Sequence, residues 1–393
     1  MTRRKLSKFL SGRGLGVLAI MLAAVCALPH LAVLVTAFSA GTEVLQHLAE
    51  TVLPHYIGST LALVALVCTL AFLVGTGTAW LVTMTEFPGR RWLEVLLVIP
   101  LAFPAYVVAF GYTHVLDHPG IVQSTLRDLT GWGPRDYWFP EVRSLGGAAV
   151  MLALVLYPYV YLLARAAFLS QSATTFHAAR ALGRTPWQAF LTVSLPMARP
   201  AIAAGVLLAG METIADFGTV SFFAVQTFAT GIYQSWFNFA DRVAAAQLAL
   251  GLLAFALCLA TLERMNRGSA RYHAGRRQEA MVRMQLTGAR ARWATAACAL
   301  PVLLGAVIPT IALGLMALGS EQDLLSRRYI GFIQNSLILA SVAAGVTVLA
   351  AMIIGTFHRT TPGKASNTAF YLARIGYAVP GGVIAVGLLF PLA

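Results

Sequence analysis

The chain has 393 residues, of which 58% are apolar and only 11% charged, against roughly a quarter charged in a soluble domain. So few charges cannot solvate the faces of soluble domains, and the same numbers exclude a disordered chain, a collagenous repeat and a disulfide scaffold. The formal net charge of +13 would point to nucleic acid in a soluble protein, so its placement along the chain decides its meaning.

Long gaps between charged residues predict an all-α fold, a polytopic helical bundle in a membrane. A helix of ~20 apolar residues crosses the hydrocarbon core. Nine spans are predicted, near 15–38, 57–83, 93–114, 144–164, 201–223, 243–262, 293–318, 335–357 and 370–392. Each run is continuously apolar, without the alternation of a barrel. The first follows a basic head, yet its apolar stretch is too long for a cleaved signal peptide. The loop 117–143 carries Trp132, Tyr137 and Trp138 and is read as a membrane-surface anchor in preference to a protein-docking loop. Cys26, Cys68, Cys258 and Cys298 fall within spans without CxxC spacing, as packing residues do.

Lysine and arginine bias sets the orientation. With the N-terminus in the cytoplasm, every Lys and Arg falls on the cytoplasmic side except Arg127, Arg135, Arg143, Arg242, Arg327 and Arg328. The basic excess is then a topology signal, and no nucleic-acid partner is expected.

The cytoplasmic segment after the fourth span, 176–200, has the pattern of a helix, a turn and a second short helix. Ala178 to Leu182 favour a helix, and Gly183 suits the left-handed position that ends one. Thr185 is a natural N-cap and Pro186 a natural first residue of the next helix. Trp187, Phe190 and Leu191 give that helix an apolar face, and Pro196 is expected to stop it. An ordinary connection needs far fewer residues, so this one reads as a docking surface.

Glu212 and Asp216 lie inside the fifth span at i and i+4, hence on one face of a continuous helix. Intramembrane acids are costly and mark pathways or gates unless a local partner holds them. Both readings stay open: lining a pathway, or pairing with hydroxyls and backbone at a helix break near Gly218. Gly363-Lys364 lacks the surrounding residues of a phosphate-binding loop, so ATP hydrolysis by that route is not expected of this chain. The eight histidines include no HExxH and no metal ligand is assigned. No catalytic residue is assigned either.

The chain repeats itself weakly. Tyr56–Leu61 pairs with Phe332–Leu337 and Pro104–Gly111 with Pro380–Gly387, both at an offset of 276; Pro88-Gly89 pairs with Pro362-Gly363, and Pro29 with Pro309. The near-constant offset predicts two parallel repeats of a six-span unit. They comprise a first repeat over 1–262, a basic cytoplasmic linker over 263–292, and the first three spans of a second repeat over 293–393. On that reading the remainder of the second unit either continues the chain or is supplied separately.

Ala178-Ala179, Gly183 and Leu195-Pro196 have the spacing of the EAA loop of ABC-importer permeases. Met211–Val220 and Thr227–Tyr233 extend the likeness across most of the chain, which resembles the fused two-repeat permeases of ferric iron importers. The resemblance implies a bacterial inner-membrane permease that binds no cofactor and is not itself an enzyme. ATP would be used by two partner ATPase subunits, and an extracytoplasmic solute-binding protein would deliver substrate. It further implies that His177, Ala178, Ala179, Gly183, Thr185, Pro186, Leu195 and Pro196 form the ATPase-coupling loop. At His177 the family pattern often has Glu, which the chain lacks. Permeases for thiamine, polyamines and phosphonates share this architecture and remain alternatives. An ion-coupled secondary transporter is a further one, though it would need no such loop.

Overall fold

The computed structural model of the chain describes residues 13–39, 43–171, 178–267, 283–320 and 326–389. Among them the fold is helical throughout, save one parallel pairing of two-residue strands, β1 (Thr85–Glu86) and β2 (Met284–Gln285). Seven helices are long and apolar enough to cross a membrane. An eighth span results if the bent pair Arg90–Ala102 and Ala105–Thr130 counts as one.

The helices in order are α1 (Arg13–Ala37), α2 (Glu43–Thr51), α3 (Leu53–Met84), α4 (Arg90–Leu96), α5 (Ala105–Leu116), α6 (Ile121–Thr130) and α7 (Leu145–Ser170). Then come α8 (Pro186–Ala189), α9 (Leu195–Ala215), α10 (Gly218–Phe222), α11 (Phe228–Tyr233) and α12 (Arg242–Arg267). The last are α13 (Gly288–Val302), α14 (Ile308–Gly319), α15 (Arg327–Thr360), α16 (Lys364–Ala378) and α17 (Gly381–Leu389). Among the described residues, only the long helices named above have the apolar length to cross lipid. Their hydroxyls are satisfied locally: Thr78, Thr83 and Thr113 each donate to the carbonyl four residues back, at 2.7–2.8 Å. Ser144 caps α7 by accepting from the Gly147 N–H at 3.1 Å.

Two expected spans are broken before a proline. The third bends by 94° between Ala102 and Ala105, and the ninth, over 370–392, is divided between α16 and α17. In both cases the residue before a proline is forced out of the helical region. Phe103, before Pro104, has φ −93° and ψ 131°, and Val379, before Pro380, has φ −97° and ψ 125°. These two breaks lie 276 residues apart, the repeat offset of the sequence. The ends of the long helices α3 and α15, Met84 and Thr360, are separated by the same interval.

Contacts divide the chain into two units. The larger takes the described residues of 47–231 and 254–316. Its centre is α7, packed between α3 and α9 around Leu63, Val67, Ala71, Leu152, Tyr157, Val160 and Tyr161. Helices in lipid gain little from burying apolar surface against one another, so close backbone approach through small residues decides their association. Here the approach is made at Val160. A Cβ on Gly75 of α3 would stand 2.7 Å from its Cβ, and one on Gly205 of α9 would stand 2.8 Å from its Cα. In the same unit α13 and α14 are joined through a π turn, Leu303–Val307. The Tyr112 hydroxyl donates to the Leu304 carbonyl there, at 2.7 Å.

In the smaller unit α1 packs against α15, α16 and α17. Leu15 and Ala19 meet Ile354 and Phe357. Gly16 lies under the Phe357 ring, and Gly387 lies against the Pro29 backbone. The Gln247 amide donates to the Ala37 carbonyl at 3.1 Å, bonding the end of α1 to α12.

Gly75→Val places a branched side chain against Val160 and should destabilise the larger unit by about 1–3 kcal/mol, the usual cost of overpacking. Gly77→Val is the control, because a Cβ there meets nothing within 4 Å. Thermal unfolding of the two variants in detergent should give a clearly lower midpoint for Gly75→Val; equal midpoints would contradict the close approach.

Candidate functional site

The coupling segment is described from Ala178 onward; His177 lies outside the described residues. Residues 178–181 form the end of a helix, closed by a Schellman motif. The Gly183 N–H donates to the Arg180 carbonyl at 3.0 Å and the Arg184 N–H to that of Ala179 at 3.2 Å. Gly183 has φ +84°, a conformation that only glycine adopts without strain. Thr185 then starts α8 with a capping box. Its hydroxyl accepts from the Gln188 N–H at 3.2 Å, while the Gln188 side chain accepts from the Thr185 N–H at 2.9 Å. Pro186 takes the first turn, where it lacks no bond.

Pro196 does not stop this helix, contrary to the reading of the sequence. The chain runs unbroken from Pro186 to Ala215 because a π turn, Phe190–Ser194, intervenes. The Leu195 N–H reaches the Phe190 carbonyl, and this wider turn accommodates a proline that has no N–H to contribute. The segment 176–200 is therefore partly the base of the fifth span.

Aromatic rings join this base to its neighbours. Trp80 of α3 lies 5.8 Å from Trp187 and 4.9 Å from Phe190, and Phe168 of α7 lies 6.0 Å from Phe190. Ala179 packs against Ala189 and Val193. The Gln171 amide donates to the Ser194 carbonyl at 2.8 Å. A displacement of α8 is thus felt by α3 and α7 together.

A charged cluster in the same unit was not recognised from the sequence. Arg90, only 6% exposed, pairs with Glu86 at 3.0 Å and with Glu94 at 2.9 Å, and it also donates to the Val82 carbonyl at 3.1 Å. Glu94 pairs in addition with Arg165 of α7, and the Tyr161 hydroxyl donates to the Glu94 carbonyl at 2.7 Å. The four-residue spacing of Glu86, Arg90 and Glu94 is the signal that could have revealed part of it.

The two acids of the fifth span part company. α9 ends at Ala215, and Asp216 leaves the helix with ψ 123°, so the expected shared face of one continuous helix through 201–223 does not form. The Asp216 carboxylate accepts from the Thr219 N–H at 2.9 Å, the Thr219 hydroxyl at 3.1 Å and the Val220 N–H at 3.2 Å. It caps α10. Glu212 stays on α9, and among the described residues no hydrogen bond or ion pair engages its carboxylate. Both acids line a cavity of about 360 Å³. Its walls include Leu101 and Phe103 from the broken third span, Leu152, Val155 and Tyr159 from α7, and Phe217. Two helix breaks meet here, at Phe103-Pro104 and at Asp216-Phe217. Discontinuous helices are where transporters place polar groups within apolar depth. Among the described residues no three His, Cys, Asp or Glu side chains come together as a metal site would need.

The loop 117–143 is folded rather than extended. Arg127 of α6 donates to the Tyr137 hydroxyl at 3.0 Å and to the His118 carbonyl at 3.0 Å, and Tyr137 donates to Gln123 at 2.8 Å. Trp132 stacks on Tyr137, while Trp138 is exposed.

A bundle with a capped helical knee at the foot of a long span, and a cavity at paired helix breaks, is the frame of a transport permease. Residues 71–267 match the family described as binding-protein-dependent transport system inner membrane component, and the chain belongs to that family, the membrane permeases of ABC importers. The sulfate transport system permease protein CysW of Escherichia coli (strain K12) is 35% identical over 216 residues, 54% of this chain and 69% of that protein. The Fe(3+)-transport system permease protein FbpB 2 of Haemophilus influenzae is 25% identical over 378 residues, 92% of this chain and 68% of that protein. The molybdenum transport system permease protein ModB of Escherichia coli (strain K12) is 30% identical over 145 residues, 37% of this chain and 60% of that protein.

Glu94→Ala would leave Arg165 and the buried Arg90 without their shared carboxylate. Arg90 keeps Glu86 and the Val82 carbonyl, and the Glu94–Arg165 pair is only partly buried, so the loss should be about 1 kcal/mol, between the surface and the buried cases. The expected outcome is a lower unfolding midpoint in detergent, restored in part by also replacing Arg165 with Met. No change on Glu94→Ala would mean that the cluster holds nothing together.

Proposed function

We propose that the chain is the permease of a ferric iron importer, built from two fused repeats and driven by two ATPase subunits that use ATP on its behalf. The observation that carries the iron reading is the likeness to the Fe(3+) permease across 92% of the chain, against 54% for the sulfate permease. The cavity agrees with it in sign, since Glu212 and Asp216 are its only charged lining residues. A carboxylate-lined passage favours a cation and repels an oxyanion such as sulfate or molybdate. The higher identity to CysW over its shorter match supports a second reading, an oxyanion permease.

The two-repeat layout is supported by the paired proline breaks and by the matching ends of α3 and α15. We assign 1–262 to the first repeat, 263–292 to the linker and 293–393 to the second. The N-terminus lies in the cytoplasm, as the lysine and arginine bias requires. An extracytoplasmic binding protein delivers the cargo. The chain itself holds no catalytic residue and no cofactor; lipid is its solvent.

The mechanism follows from the contacts. Closure of the ATPase pair moves the segment Ala178–Pro196, whose knee is fixed by Gly183 and whose short helix is fixed by Thr185 and Pro186. Trp187 and Phe190 pass that motion to Trp80 and Phe168, hence to α3 and α7. Because Leu195 and Pro196 continue directly into α9, the same motion reaches Glu212 at the cavity wall. Access then alternates between the two sides of the membrane, and binding energy differences between the two states set the direction.

Five measurements test this reading. The purified chain should retain an endogenous ATPase subunit, and cells expressing the complete system should accumulate radioactive iron rather than sulfate or molybdate; sulfate uptake would favour the second reading. Gly183→Val, strained at φ +84°, should insert normally yet lose ATPase association and most uptake. Glu212→Gln should lower iron uptake by about tenfold, the scale of one lost charge interaction in a confined site, with ATPase association unchanged. For topology, a single Cys at Asp128, in a chain otherwise free of Cys, should react with an impermeant thiol reagent in intact cells. Protection at that position would reverse the orientation.

A further inference from the structure

The helix α6 is amphipathic, but its faces are reversed from those of a helix on a soluble protein. At about 100° per residue, Ile121, Thr125, Leu129, Val122 and Leu126 fall on one arc of about 140°. Leu126 is half-buried and the other four are exposed, Leu129 by 82%. The side that carries Gln123 and Arg127 turns inward instead. The buried Gln123 amide donates to the Leu116 carbonyl at 2.9 Å, and Arg127 donates to the Tyr137 hydroxyl and to the His118 carbonyl, each at 3.0 Å. Asp128 is exposed at the margin of the apolar arc. A helix against water hides its apolar face and solvates its polar one; α6 does the opposite.

Two contacts keep α6 at the end of a span. The turn that leads out of α5 is tight: the Gly120 N–H donates to the Asp117 carbonyl at 2.7 Å, and a Cβ on Gly120 would stand 2.6 Å from the Val115 carbonyl oxygen. Arg143, just before α7, pairs with Asp117 at 3.2 Å, so the segment leaves and returns at one place. Trp132 and Trp138 are exposed in the same segment, Trp138 by 86%, and tryptophan concentrates at the boundary between membrane and water.

We propose that α6 lies in the membrane–water interface, with Ile121, Val122, Leu126 and Leu129 set among the outermost acyl groups and Asp128 at headgroup level. A solute-binding protein that docks and departs is the other candidate occupant. Interfaces of that kind are no more apolar than ordinary protein surface, whereas this arc holds no charge. Attraction to anionic lipid is not required either, because Arg127 faces inward and the margin carries an acid; the contact rests on apolar area. Anchored in this way, α6 fixes the far end of the broken third span, whose residues Leu101 and Phe103 line the cavity. The inference is independent of the cargo.

The test uses the full chain in nanodiscs, with its four cysteines replaced and a single nitroxide-labelled cysteine introduced as Leu129→Cys, Val122→Cys or Asp128→Cys. Relaxation by molecular oxygen, which enters acyl chains, is compared with relaxation by a water-soluble nickel chelate. Labels at 129 and 122 should respond to oxygen and lie about 5–10 Å below the headgroup boundary, while the label at 128 should respond to nickel. Equal nickel access at 128 and 129 would overturn the proposal. A label at 129 that is shielded from both reagents would assign the face to protein and overturn it too. Replacing anionic lipid by phosphatidylcholine should leave the depth unchanged; loss of depth would make headgroup charge the cause, against the apolar contact proposed. If Leu129→Cys fails to fold, Val122→Cys reads the same arc.

Discussion

Val160 is the point on which the larger unit closes. α7 can be shared by α3 and α9 only because Gly75 and Gly205 present no side chain toward it. In lipid this matters more than in water, since apolar side chains lose nothing by facing acyl chains and only close, complementary contact favours protein over lipid. With the three helices held at that spacing, Tyr161 reaches the Glu94 carbonyl and Arg165 reaches the Glu94 carboxylate. The ion cluster is a consequence of the glycine contacts as much as of its own charges.

The same arrangement joins the two regions of interest. One face of α7 lines the cavity through Leu152, Val155 and Tyr159, while near its far end Phe168 meets Phe190. α9 does likewise, with Glu212 at one end and the π turn at the other. α7 and α9 thus each run from the knee to the cavity wall, and they meet one another at the Val160 contact.

Much of this was legible in the sequence because it is local. Charge gaps mark most of the spans, and the chemistry of Gly183, Thr185 and Pro186 dictates the knee, down to the left-handed glycine. What was hidden depends on geometry that no local pattern encodes. Pro196 looks like a terminator when an α-helical register is assumed, and only the π turn removes the conflict. Asp216 could be read either as a companion to Glu212 at i+4 or as held by local donors at a helix break, and the Thr219 and Val220 donors place it at the break. Glu94 and Arg165 are 71 positions apart and meet only once α7 has packed. The third span reads as unbroken over 93–114, and its bend of 94° before Pro104 required the structure.

The π turn at Phe190–Ser194 carries one residue more than a regular turn would. Each residue advances a helix by about 100°, so the side-chain faces below the turn are offset from those above it by roughly that angle. A helical wheel drawn straight through Pro186–Ala215 therefore mixes two surfaces: one turned toward Trp80 and the knee, the other toward Val160 and the cavity. Removing Thr192 would take out the extra position, keep every apolar side chain of the turn, and rotate the foot of the span out of phase with its body. The two ends are kept in step by a single inserted position.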